Sequence, residues 1–254
     1  AETWRCAAWF TRVELALDLV DEEFALWVAW RTKNVPRMRD VNMVVLLSAW
    51  AWFSRHPGTA GGNLVRAPFN SLVGFSKAME ETDNWRKRVD LAVVLGRGIN
   101  DTWYQGGNFN GYDFEPLKTV DDFVGQSAIM HNCLDQYGRR VALRTTRVFS
   151  IRRDNIPVAC LEIGPHDDDT AMPKIEQLRG PYNQRVSPLI WQATYAWLGS
   201  QKPRPISAVE ISPAASLDVS RRVWGPFVAA VGATRSADVV RRFLKCGDVL
   251  DPEL

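Results

Sequence analysis

The chain has 254 residues, enough for one large domain or for a domain with a helical extension. Hydrophobic residues make up 46% of it, which excludes global disorder, and a formal net charge of +2 excludes attraction of nucleic acid by total charge alone. The four cysteines Cys6, Cys133, Cys160 and Cys246 form neither a Cys-x-x-Cys pair nor a dense disulfide framework, a pattern that fits a reducing, cytoplasmic setting.

Apolar residues at Trp9, Val13, Leu17, Val20, Phe24 and Trp27 recur at three and four, which predicts a helix from Trp4 to Arg31 stopped by Asn34-Val35-Pro36. A second helix is expected from Arg39 to Arg55. It is apolar nearly all round and therefore buried. Its longest nearly apolar run, Val41 to Phe53, is too short to span a bilayer, and the start Ala1 to Arg5 does not read as a signal peptide, so no membrane partner is expected. A third helix is expected from Ser71 to Leu95, with a break around Glu80 to Asn84. Residues 1–96 thus read as a helical N-terminal region. Six of the eleven tryptophans lie within its first 52 residues, and they read as an aromatic core rather than a partner surface.

From Gly96 to Glu115 the chain is rich in Gly and Asn with interleaved aromatics. The glycines make no phosphate-binding fingerprint. Two readings stand: a long ordered loop, or a lid or stacking surface built from Trp103, Tyr104, Phe109 and Tyr112. Thr119 is placed to cap a short helix with acids in its first turn, and a second helix is expected to carry Met130 to Tyr137. Three strands follow: Arg147 to Arg153, Val158 to Ile163, and Lys174 to Gly180, the first two joined by Asp154-Asn155-Ile156-Pro157. Ser187-Pro188 opens a helix that Gly199 ends. Lys202 to Pro205 reads as a linker, and helices around Leu217–Phe227 and Ser236–Lys245 make residues 201–254 a C-terminal helical extension. The expected fold is α+β: a helical N-terminal region packed on a small three-stranded antiparallel sheet flanked by helices, with residues 97–200 as the α+β core.

Period 2 sorts the strand residues by face. Phe149 and Ile151 share a face with Ala159, Leu161 and Ile163. Ser150 and Arg152 then fall with Cys160 and Glu162, and Gln177 and Arg179 are expected to stand beside Glu162. Asn183 follows the turn Gly180-Pro181 and is expected to fold back over the sheet end.

The order M-H-N-C-x3-Y (Met130 to Tyr137), S-I-R (Ser150 to Arg152), a strand ending L-E-I (Leu161 to Ile163) and Q-x-R-G-x2-N (Gln177 to Asn183) resembles the PcfJ-like family, found on conjugative plasmids and other mobile elements of bacteria. The resemblance covers roughly Leu117 to Leu198, about a third of the chain. Here Asn132 separates His131 from Cys133, which the family often has adjacent, and Cys160 stands where a threonine is common. The resemblance implies a mobile-element setting more firmly than an activity.

His131, Cys133, Cys160 and His166 are zinc ligands by type, but their spacing matches no compact finger, so no metal is expected. Cys133 is a candidate nucleophile, although on a helix His131 would face away from it. The favoured arrangement is a polar cleft. In it Glu162, His131, Tyr137 and Cys133 are the candidate catalytic groups, and Ser150, Arg152, Gln177, Arg179 and Asn183 position an anionic or amide-bearing ligand. Arg139, Arg140, Arg144 and Arg147 form a basic window suited to phosphate. The first function expected is a mobile-element protein that engages nucleic acid or a nucleotide. The second is an enzyme of the NAD-dependent ADP-ribosyl transfer type, and the third a structural interaction module. The sequence names neither a cofactor nor an oligomeric state.

Overall fold

The computed structural model describes residues 2–33, 41–96, 98–99, 104–142, 146–166, 173–201 and 213–246. The chain divides into two compact units: residues 1–89 with 217–254, and residues 90–216.

The expected first helix is two helices, α1 (Glu2–Leu19) and α2 (Glu22–Thr32). Asp21 is the reason. Its backbone is extended, and its side chain accepts the Phe24 N–H at 2.9 Å, an N-cap that ends one helix and starts the next. In α3 (Val41–Ser54) Val44, Val45, Leu47, Trp50 and Phe53 are all buried, as expected of a helix apolar on every side. The predicted break in α4 (Phe75–Leu95) does not occur. Lys77–Glu81 and Asp83–Lys87, both at 2.8 Å, are i,i+4 pairs across the polar run, while Thr82 and Trp85 are buried beneath it.

The unit of residues 90–216 is built on a five-stranded antiparallel meander, not three strands. The two extra strands, β1 (Gly107–Phe109) and β2 (Tyr112–Pro116), lie in the stretch read as a loop. Asn110 and Gly111 join them, both at positive φ (53° and 78°), as a two-residue hairpin turn requires. Tyr104 and Tyr112 are buried, so they form no exposed stacking surface, and Trp103 lies outside the described residues. The sheet continues with β3 (Arg147–Arg153), β4 (Ile156–His166) and β5 (Pro173–Arg179). The register pairs Val148 with Glu162, Ser150 with Cys160, Glu162 with Gln177 and Cys160 with Arg179, which is the expected facing.

A Thr119–Asp122 capping box starts α5 (Val120–Met130). The motif block beyond it is not a helix, contrary to expectation. His131 ends α5 in the left-handed conformation (φ 50°, ψ 49°), Leu134–Gln136 is a single 3-10 turn, and α6 (Gly138–Ala142) follows. Local polar groups hold this path. Asn132 Oδ1 accepts the Leu134 N–H at 3.2 Å, and the Ser127 hydroxyl donates to Asp135 at 3.0 Å. Helix α7 (Pro188–Ser200) runs one residue past Gly199.

The two sheet faces are both covered, by different elements. On one, Phe114, Phe149, Ile151, Leu161 and Leu178 pack with Ile190, Ala193 and Trp197 of α7, Trp197 lying flat on Phe114 at 5.3 Å between centroids. On the other, Val148 and Cys160 pack with Phe123, Met130, Leu134, Tyr137 and Val141 and with Leu91 and Leu95. Ser150 and Glu162 also belong to this second face, which bears the site.

The last two helices, α8 (Pro213–Val231) and α9 (Ala237–Cys246), belong from Leu217 onward to the other unit. Its core is aromatic: Trp85 meets Trp224 edge-on at 5.4 Å, and Phe53 lies 5.3 Å from Trp85. Trp27, Trp50, Trp85 and Trp224 are buried, whereas Trp30 is 82% exposed. Lys202 to Pro205 lies outside the described residues. No described helix is long and apolar enough to cross a membrane.

Candidate functional site

Glu162 sits mid-strand in β4 and is 3% exposed. A carboxylate there requires donors. The Tyr137 hydroxyl donates to Oε2 at 3.0 Å. Thr146 Oγ1 donates to Oε1 at 3.0 Å, and Arg140 Nη2 reaches Oε1 at 2.7 Å. The Arg140 guanidinium also lies over the Tyr137 ring, 4.9 Å from its centroid. Burial and the adjoining Glu162 carboxylate hold the Tyr137 phenol well above the ordinary tyrosine range, so it stays a donor.

Beside this network lies a cavity of about 220 Å³. It is lined by Cys133, Tyr137, Glu162, Gln177, Arg179 and Asn183 among the expected site residues, together with Asn132, Leu134, Val148 and Cys160. The lining comes from the turn after α5, from β3, β4 and β5, and from the 3-10 turn Pro181–Asn183. Glu162 forms the acidic wall, but Arg140 neutralises it. Arg179 is exposed, and among the described residues no carboxylate pairs with it. The lining is therefore biased towards an anion, with the Gln177 and Asn183 amides able to donate or accept beside it.

Three expected members stand apart from the lining. The His131 ring is stacked on Tyr182, 4.3 Å between centroids and 6° from parallel. The Ser150 hydroxyl is buried and donates to Gln126 Oε1 at 3.0 Å, and the other end of that amide donates to Cys160 Sγ at 3.2 Å. Arg152 turns towards β2, where its Nε lies 3.3 Å from Glu115 Oε2, a charge contact rather than an aligned hydrogen bond. A bulge in the β3–β4 pairing begins just after Ile151, at this end of the sheet.

The basic window is also redistributed. Arg147 is buried and donates to the Thr146 carbonyl at 2.9 Å, so its guanidinium is not presented to a partner. Arg140 is held by Glu162. Arg144 and the side chain of Arg139 lie outside the described residues, as does the side chain of His166. Among the described residues, no group of three His, Cys, Asp or Glu could hold a metal ion.

Sequence reasoning missed Asn132, Thr146 and Gln126. Asn132 both lines the cavity and donates to Cys160 Sγ at 3.6 Å. Burial pushes the Cys160 thiol up, against the opposing pull of those two amides. The one available signal was the run of side-chain amides around a buried strand. Such amides serve equally as turn formers, which hides them.

Fold and cavity together define an α+β protein with a polar pocket on one face of an antiparallel meander. Comparison with family models, with curated proteins and with solved structures finds no match.

Proposed function

We propose that this protein binds a small anionic ligand of the nucleotide class in the cavity beside Glu162, as a cytoplasmic, PcfJ-like protein of a bacterial mobile element. One observation carries the reading: Glu162, Gln177, Arg179 and Asn183, from two strands and a turn, meet at one cavity whose acidic wall is already neutralised by Arg140. Arg179 supplies the charge for a phosphate. Gln177 and Asn183 supply the amides, and Glu162 with Tyr137 forms a preorganised floor. The free thiols Cys133 and Cys160 are in keeping with a reducing compartment. The sequence setting supports the mobile-element assignment through the motif order alone. The parts named for ADP-ribosyl transfer are dispersed, with Ser150 and Arg152 held by Gln126 and Glu115.

The test is calorimetry and thermal shift at low salt, with ribose 5-phosphate, AMP and NAD as probes. A phosphate at one hundred times its Kd should stabilise the fold by about 2.7 kcal/mol. Arg179→Ala and Gln177→Ala should remove that shift while leaving the unliganded melting curve in place, since both side chains are exposed. No shift and no heat with any probe at low salt would sink the proposal.

A further inference from the structure

The cavity does not hold a whole nucleotide-sized molecule. Its volume of about 220 Å³ falls below the roughly 300–1,000 Å³ of pockets that enclose a drug-sized ligand. A ligand anchored by its phosphate and sugar therefore extends past the rim. The chain neighbours of the lining residues Asn132 and Asn183 are His131 and Tyr182, and their rings lie parallel, 4.3 Å apart. Tyr182 is 64% exposed and His131 is also exposed, so the pair offers an outer π-face to solvent.

The backbone presents this pair at a cost. His131, Tyr182 and Asn183 all adopt the left-handed conformation, with φ of 50°, 55° and 58°. For a bulky residue such as tyrosine this is an outlier. Exposed as it is, Tyr182 recovers little of that cost by burial. Strain of this kind persists where surrounding structure fixes it, and it clusters at ligand clamps. The fixing contacts are present: the Gly180 N–H donates to the Gln184 carbonyl at 2.9 Å, and the Gln184 N–H to the Pro181 carbonyl at 3.1 Å, closing the turn that carries Tyr182 and Asn183. On the other side, His131 caps α5 with its N–H on the Ser127 carbonyl.

We infer that the ligand carries a planar aromatic ring, a nucleobase, which stacks on the His131–Tyr182 pair outside the cavity. This rests on the reading of the cavity as an anion site. The stack supplies a platform with no fixed hydrogen-bond code, so it takes any base. Stacking of this kind is worth roughly 5- to 150-fold in affinity.

The experiment compares AMP with ribose 5-phosphate by calorimetry on the full chain, for the parent protein and for Tyr182→Ala and Tyr182→Trp. The expected result is AMP binding at least 5-fold tighter than ribose 5-phosphate, the gap closing in Tyr182→Ala and persisting in Tyr182→Trp, with ribose 5-phosphate affinity equal in all three. Equal binding of the two probes to the parent protein overturns the stacking inference and leaves the anion site standing. So does an equal loss for both probes in Tyr182→Ala. Failure of both probes to bind the parent protein overturns the anion site and the inference together. Exposed Tyr182 contributes little to the core, and unchanged melting curves for the two variants confirm that they fold.

Discussion

Tyr137→Phe removes one hydroxyl and nothing else. The donor it deletes reaches Oε2 of a carboxylate that is 3% exposed, at 3.0 Å, while Arg140 and Thr146 continue to serve Oε1. A hydrogen bond to a charged group contributes about 1.5–3 kcal/mol, so a loss near 2 kcal/mol is expected at neutral pH. With a urea m-value of about 2 kcal/mol/M, the unfolding midpoint falls by about 1 M with m unchanged. The alkaline limb supplies a second readout. The phenol is held above its ordinary value of 10.0 in the folded state. As pH rises past 10, the unfolded chain releases this proton and the folded protein keeps it. The folded state then binds more protons, and stability drops by up to about 1.4 kcal/mol per pH unit from this group. Tyr137→Phe lacks that component, so its stability curve above pH 10 is flatter than the parent's by about that slope. The assay is urea denaturation followed by circular dichroism between pH 7 and 11. A midpoint within about 0.2 M of the parent, together with an identical alkaline slope, would refute the buried network as described.

Three further outcomes are expected. Brief treatment with iodoacetamide, followed by peptide mapping, should label exposed Cys133 and spare Cys160, which is buried and has its thiol pushed up; equal labelling of both in folded protein would contradict the packing. Gly138→Ala should destabilise by about 1–3 kcal/mol, because its Cβ would stand 2.6 Å from the Leu91 backbone nitrogen; a neutral change in urea midpoint would show the approach is looser than that. Ser150→Ala should cost about 1 kcal/mol through the buried hydroxyl and leave phosphate binding unchanged, whereas a selective loss of binding would restore Ser150 to the site.

The faces of β3 and β4 were legible because period 2 is strict and one face is wholly apolar: Phe149, Ile151, Leu161 and Ile163 can point only to the core. That grouping placed Glu162 with Ser150 and Cys160 correctly. It could not say towards which strand Arg152 would lean, since a long flexible side chain chooses among neighbours that only the register reveals. The hairpin of β1 and β2 was readable but misread. Asn110-Gly111 is a strong two-residue turn signal, and the surrounding glycines obscured it. The path from His131 to Tyr137 was not legible, because apolar Met130 and Leu134 fit helical spacing, and only the tertiary environment of Asn132 and Asp135 favours the turn. Arg147 shows the limit of reading charge from composition: a basic run looks solvated until one member proves to be buried.

The meander has a kinetic consequence. Every strand pairs with its immediate neighbour in the sequence, and all ten residues lining the cavity fall between Asn132 and Asn183. Closing such short loops costs little chain entropy, so these pairings belong to the low-contact-order part of the molecule and can form early in folding. The first unit is the opposite case, since it joins residues 1–89 to 217–254 across the entire intervening chain. On a ribosome its two halves emerge separated by the whole of the second unit. The pocket-bearing meander therefore has its complete sequence available before the helical unit does, and it is placed to fold first.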